Sequence, residues 1–399
     1  MTRVVVVGAG VVGLSCAWFL QEHGADVTVL DRSGVAAGAS WGNAGYLVPA
    51  MVAPLAEPAL LREGVRSLLS PGSPVSVSGR PPVAFLAGFA RNATASRWQR
   101  GMAAFGPLAA DSLGTFDELL KGGVAAEVHE RALRIGFTAG QDTAGLEHEL
   151  AGASYRISAG HEAPFSDRVT QVLHLEGQRF LAPGAFLDAL AGSVRERGGE
   201  IVEGAHVRSV GFGPRGLQVD TWAGPPHRAD AVVLATGAWL PELGRRLGVR
   251  VPVQAGRGYS CSVRLPEPLE GPVYLPSARV TLTPYGDRVR VAGTMEIADR
   301  DAPFDGRRLD AVLRSLRPLL DGGWDDVREP WVGSRPLTPD SLPLIGATKV
   351  PGVHVAGGLG MWGVTLGPVT GKLLAAQITA GTSVPELTPF DPLRRERLR

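Results

Sequence analysis

Cysteine is nearly absent. The 399 residues hold two, Cys16 and Cys261, too few and too far apart for a disulfide scaffold, and that usage fits a reducing compartment. A surplus of charge is missing too: 40 Lys and Arg stand against 39 Asp and Glu, so no basic footprint argues for nucleic acid. Val4 to Leu20 could be mistaken for a membrane span or a signal peptide, but it carries three glycines and Ser15 and lacks a small-residue cleavage pattern. No basic amphipathic helix is evident either. The expectation is a cytoplasmic protein with no integral membrane segment, peripheral membrane contact being left open. The eight histidines, among them His129, His161, His174 and His354, show neither metal-ligand spacing nor a His-Asp-Ser set. No metal site and no catalytic histidine is expected. What remains is an ordinary globular composition, 44% apolar and 20% charged, long enough for roughly two to three domains.

The first thirty residues are specific. Val4 to Val7 run into Gly8-Ala9-Gly10-Val11-Val12-Gly13, and Asp31 closes the next apolar run, Val27 to Leu30. Strand, glycines, helix and acid in this register describe a dinucleotide-binding βαβ unit. Gly8 permits the tight turn, Gly10 lets backbone N–H groups approach a pyrophosphate, and Gly13 allows close helix-strand packing. The helix N-terminus then holds the phosphates. Asp31 would accept from a ribose hydroxyl, favouring an unphosphorylated ribose; Arg32 beside it weakens that preference.

Ser33 to Pro49 reads as a Gly, Ala and Ser-rich loop leading into a helix. Pro54, Pro58, Pro71, Pro74, Pro81 and Pro82 then mark an exit from the nucleotide unit. Apolar spacing predicts two long helices between Val83 and Leu120, and another from Pro183 to Arg197. Strands at Glu200–Val202, Val207–Val210, Leu217–Thr221 and Ala231–Thr236 return the chain to the nucleotide unit. The last of these ends in Thr236-Gly237-Ala238-Trp239, a turn where backbone can approach a ligand. Alternation from Pro252 to Arg290, with Tyr259, Cys261 and Val263 on one face, predicts an antiparallel sheet walling a pocket. Arg288 and Arg290 share a face expected to be solvated. A helix over Arg307 to Leu320, a strand at Val353 to Ala356 and a solvated tail, Arg394 to Arg399, complete the reading.

Gly358-Leu359-Gly360-Met361-Trp362-Gly363 is formally a second GxGxxG before an apolar helix, Val364 to Ile378. No strand ending in an acid follows at the required spacing, so it is not a second dinucleotide unit. One βαβ unit at one end and a glycine turn with a helix at the other fit a single large cofactor clasped twice. If the far side of that cofactor is a flavin, the positive end of the closing helix would stabilise the negative charge of the reduced ring.

These residues resemble the FAD-dependent D-amino-acid oxidase superfamily, and within it the bacterial D-amino-acid dehydrogenases. The resemblance rests on the opening motif with Asp31-Arg32, on Ser40-Trp41-Gly42-Asn43-Ala44-Gly45 and on Leu234 to Trp239. Gly258-Tyr259-Ser260, Gly293 to Glu296, Trp331 to Asp340 and Gly358 to Gly367 extend it over nearly the whole chain. Ala182 before Pro183 and Met361-Trp362 depart from the family pattern.

The resemblance implies an α/β chain with a discontinuous Rossmann-type FAD-binding domain (1–75, 178–240, 336–399). An α+β substrate domain (76–177, 241–335) would carry the mostly antiparallel sheet. Noncovalent FAD would be held by Gly8, Gly10, Val11, Val12, Gly13, Asp31 and Arg32, and by Ser40, Gly42, Asn43, Ala44 and Gly45. Val207, Thr236, Gly237 and Trp239 would contribute, as would Gly358, Gly360, Met361, Trp362, Gly363, Val364 and Thr365. Arg335 would grip the substrate carboxylate bidentately, its alternative being an ion pair with Asp340 or Glu329. Tyr259 would add a hydroxyl or pack as an ordinary strand aromatic. The implied reaction is oxidative deamination of a D-amino acid by hydride transfer from Cα to flavin N5. Alternatives are a secondary amine or glycine as substrate, or a flavoprotein relay subunit in which Arg335 is structural. Quinone, electron carrier and oxygen stay open as acceptors.

Overall fold

The computed structural model describes residues 1–58, 75–80, 82–141, 150, 153–159, 162–214, 216–320, 324 and 326–394. Pro71, Pro74, Pro81, His161 and residues 395–399 lie outside them. A six-stranded sheet forms the nucleotide half. Its order is β10 (Glu200–Val202), β2 (Asp26–Leu30), β1 (Arg3–Val7), β14 (Ala231–Leu234), β21 (Val353–Gly357) and β20 (Leu344–Ala347). All neighbours are parallel except the last pair. The β-branched run Val4–Val7 suits a strand buried on both faces, and each of these valines is at most 5% exposed.

The first helix, Val11–Glu22, follows β1 directly, and the closing helix, Gly363–Ala380, follows β21. Where they cross, a Cβ on Gly371 would sit 2.6 Å from the Ser15 backbone, so only glycine allows this approach. Both helices therefore start at the same end of the sheet, above the carboxyl ends of β1 and β21, the place where such sheets bind ligands.

The second sheet has nine strands. Along it run β19 (Arg328–Leu337), β15 (Gln254–Val263), β18 (Arg288–Ile297), β17 (Val280–Tyr285), β16 (Val273–Leu275), β6 (Leu133–Thr138), β8 (Val169–Leu175) and β7 (Tyr155–Ala159); β4 (Val75–Val77) joins β18. It is antiparallel except where β16 meets β6 and β4 meets β18. β11 (Val207–Gly213), β12 (Gly216–Thr221) and β13 (His227–Arg228) form a small sheet, as do β3 (Tyr46–Leu47), β9 (Arg179–Phe180) and β5 (His129–Glu130).

Several expectations need correction. Ser33 to Pro49 forms turns and the short β3, with Ala36 and Gly45 at positive φ, and runs into a 3₁₀ turn at Pro49–Met51. Between Val83 and Leu120 one helix is short, Val83–Asn92, and one long, Ala95–Lys121. The long one, placed by the sequence with the antiparallel half, buries Phe105, Leu108, Phe116 and Leu119 in the core shared with the first and closing helices. Arg394 is no solvated tail residue, because its guanidinium pairs with Asp340 at 2.9 Å. No helix among the described residues is long and apolar enough to cross a membrane.

Candidate active site

A cavity of about 1230 Å³, counting the solvent at its mouth, runs from the first glycine motif to Arg335. Gly8 begins it at φ +113°, where a Cβ would also lie 2.4 Å from the Ala235 carbonyl; no other residue fits this turn. Gly13 does not line the cavity. Its missing Cβ would fall 1.9 Å from the Gly8 carbonyl oxygen, so it lets the helix close on the strand. The Val11 amide donates to Ser40 Oγ at 3.2 Å, which ties the 40s loop to the helix N-terminus. Asp31 accepts from the amides of Ala9 (2.8 Å), Ser33 (2.8 Å) and Gly34 (3.0 Å). A carboxylate has about four acceptor positions, which leaves room for a ribose hydroxyl. The Arg32 guanidinium lies 3.8 Å from the centroid of Trp239 at the rim. Val12, Val207, Gly237 and Trp239 line the wall, as does Thr236, whose hydroxyl is buried without a partner among the described residues.

From the closing segment, Gly360, Gly363 and Val364 reach the cavity. Gly358 packs against Thr338 instead. The Trp362 indole donates to the Ala53 carbonyl at 2.8 Å and the Thr365 hydroxyl to the Tyr46 carbonyl at 2.9 Å, fixing where the closing helix starts. Met361 is half-buried and outside the lining. Of the Gly42–Gly45 loop, Asn43 lines the cavity and the other three lie behind it.

The Arg335 end of the cavity is built on one face of the nine-stranded sheet. Arg335 of β19 pairs with Gly256 of β15, Gly333 with Gly258, and Trp331 with Ser260. A Cβ on Gly258 would fall 2.1 Å from Arg335 Nη2, and one on Gly333 2.0 Å from Trp331 Cη2. The guanidinium and the indole therefore lie on bare backbone. Arg335 Nη1 donates to the Thr294 carbonyl at 3.0 Å and meets Met295 Sδ at 4.0 Å; Nε and Nη2 have no protein partner among the described residues. Both carboxylates that could have neutralised it are engaged elsewhere, Asp340 with Arg394 and Glu329 with Arg290. Burial pushes the Arg335 pKa down to about 10, so it stays a cation at neutral pH and lacks an anion.

Tyr259 is not part of this arrangement. Strand parity puts it on the opposite face, fully buried, with its hydroxyl donating to Glu296 Oε2 at 2.7 Å. Burial first, and then that hydrogen bond, push its pKa up to about 12. Arg290 reverses its expectation as well: the side chain is 2% exposed, whereas Arg288 is partly buried and bound to Asp326 at 2.7 Å. Ser158, Glu162 and His174 do come together, unseen from spacing. Ser158 and Glu162 both meet His174 Nε2, at 3.2 and 3.0 Å, while Arg156 donates to Nδ1. No nitrogen is left to act as base for the serine. Trp331, Ser260, Thr283 and Tyr285 were also missed, since their parts depend on strand register.

The residues present fit FAD: a glycine turn at a helix N-terminus, an acid at the end of β2, an orphaned Thr236 hydroxyl, and a second helix N-terminus opposite. The family described as FAD dependent oxidoreductase matches residues 3–377. A D-amino acid dehydrogenase of Methylobacterium sp. (strain 4-46) is 31% identical over 94% of this chain and 95% of that protein. One from Cereibacter sphaeroides is 30% identical over 98% and 94%. In fold the chain is similar to glycine oxidase from Geobacillus kaustophilus, with a TM-score of 0.76 at 22% identity over 99% of this chain and 100% of that one. Iminodiacetate oxidase from Chelativorans sp. BNC1 superposes with a TM-score of 0.72 at 22% identity, over 98% and 99%. The chain thus belongs to the DAO family of FAD-dependent oxidoreductases and is an enzyme acting on amino acids or amines.

Proposed function

We propose that the enzyme oxidatively deaminates a D-amino acid, giving an imine that water hydrolyses. One observation carries the reading: a recessed guanidinium in the cofactor cavity with no carboxylate partner among the described residues. A substrate carboxylate supplies the missing anion, and a planar fork holds it in one orientation. Bound FAD supplies a two-electron acceptor at flavin N5. The protein's task is then placement, since a held carboxylate and an unprotonated amine leave the Cα hydrogen as the group to be aimed. Gly258 and Gly333 keep the floor low, and the Trp331 ring bounds it. The names of the relatives at 30 and 31% identity support a D-amino acid. The Arg335 guanidinium, in the cavity and without a carboxylate partner among the described residues, supports a catalytic chain over a relay subunit.

Noncovalent FAD is part of the proposal. Cys16 and Cys261 are both buried, and burial pushes their thiols up to about 12 and about 11, so neither is a ready nucleophile. Acid precipitation is expected to leave the yellow colour in the supernatant. The deciding experiment is an anaerobic panel watched at the flavin's visible band. Bleaching by D-amino acids is expected. Bleaching only by glycine or N-alkyl amino acids would move the substrate to that class, and bleaching by no amine would defeat the proposal.

A further inference from the structure

A second cation lies on the same sheet face as Arg335. Register places Arg290 of β18 between Thr283 of β17 and Ser262 of β15. Its Nη1 donates to Ser262 Oγ at 3.1 Å and to Glu329 Oε2 at 3.2 Å. Nε and Nη2 are buried and have no partner among the described residues. The guanidinium carbon is 4.9 Å from the Trp41 ring centroid, and a Cβ on Gly42 would lie 2.6 Å from Nη2. The free nitrogen thus ends against Gly42.

The loop above it is tied to the same face. Ser260 Oγ donates to the Gly42 carbonyl at 2.8 Å, the Tyr285 hydroxyl to that of Asn43 at 3.1 Å, and the Thr283 hydroxyl to that of Ala44 at 2.5 Å. Three consecutive carbonyls are held by three strand side chains. The amides of Gly42 and Ala44 keep no protein acceptor among the described residues, and Asn43 between them lines the cavity. The loop also touches the Arg335 end of the cavity: a Cβ on Gly42 would lie 2.3 Å from Trp331 Cδ2, and Trp331 covers Gly333 beside the Arg335 floor. Burying a guanidinium that keeps only part of its hydrogen bonds is costly in a purely structural role. Its one carboxylate partner, Glu329, is 53% exposed and neutralises it weakly through solvent.

We propose that Arg290 is a positioning residue for FAD: with Ser260, Thr283 and Tyr285 it holds the Gly42–Gly45 loop in the shape that receives the cofactor, and its charge favours the reduced, anionic ring. The cation acts from beneath the loop, and the hydroxyls act on its carbonyls. The two contributions separate experimentally.

The test uses purified holoenzyme and reads FAD released on dilution, by its recovered fluorescence, together with the reduction potential against a reference dye. Neither needs a substrate, so the result stands whichever amine the enzyme oxidises. Arg290→Met is expected to weaken FAD binding about tenfold or more and to make the flavin harder to reduce. Arg290→Lys should restore the potential more fully than the affinity. The double change Ser260→Ala and Tyr285→Phe should weaken FAD binding and leave the potential in place. If Arg290→Met holds FAD within about twofold of the parent at an unchanged potential, the proposal falls. Loss of affinity at constant potential would remove the charge effect and keep the holding role. Should Arg290→Met fail to fold, the double variant decides, and unchanged FAD retention there overturns the holding role.

Discussion

The two faces of the central strands of the nine-stranded sheet treat charge in opposite ways. Toward the cavity stand Arg335 and Arg290, each with donors that find no protein partner among the described residues. On the reverse, Arg257 leaves only Nε without a partner among the described residues: it donates to Glu296, itself buried, at 3.1 Å and to the carbonyls of Ala302 and Pro303, and Tyr259 also donates to Glu296. Residues next to each other in sequence, Gly258 and Tyr259, belong to different systems. A buried cation with its anion in place serves the fold, whereas one left short of partners points to a bound molecule.

That contrast predicts different losses from different faces. Arg335→Leu should lower kcat/KM by about a thousandfold or more while FAD stays bound; steady-state kinetics on the yellow variant checks it, and unchanged turnover would erase the distinction. On the reverse face, Glu296→Gln leaves Arg257 uncompensated and should cost about 3 kcal/mol of stability, read as a lowered unfolding midpoint, with the folded fraction turning over normally. A gentler probe is pH. If Arg335 is the carboxylate site it binds only as a cation, and because burial lowers its pKa to about 10, affinity for acetate should be constant below that pH. Above it, affinity should fall about tenfold per pH unit. An acetate affinity that ignores alkaline pH would place the anion site elsewhere. Tyr259→Phe should do least, about 1 kcal/mol in stability and near-parent kcat/KM, whereas a large rise in KM would return Tyr259 to the substrate.

The sequence disclosed what local backbone geometry requires. Gly8, Gly13 and Asp31 are legible because a turn, a crossing and a strand end lie within about twenty residues of one another. Arg335 is legible as a cation in an otherwise uncharged stretch, Trp331 to Pro339, which the structure makes the end of β19 and the turn after it. Arg290 and Tyr259 were misplaced for one shared reason: alternation tells which residues share a face and not which face meets the cofactor. That follows from strand register and from the Gly42–Gly45 loop, contacts more than two hundred positions apart. The hydroxyl ties of Ser260, Thr283 and Tyr285 were hidden by the same separation.

The strand order of the nucleotide half has a consequence for biosynthesis. β1 is made before its second neighbour, β14, whose Ala231 faces Val4, and β21 is made later still. Until then the emerging polypeptide holds a valine-rich edge open to aggregation or chaperone capture. Flavin loading is consequently expected only once β21 and the closing helix have been made, and translation arrested before that helix should yield colourless protein.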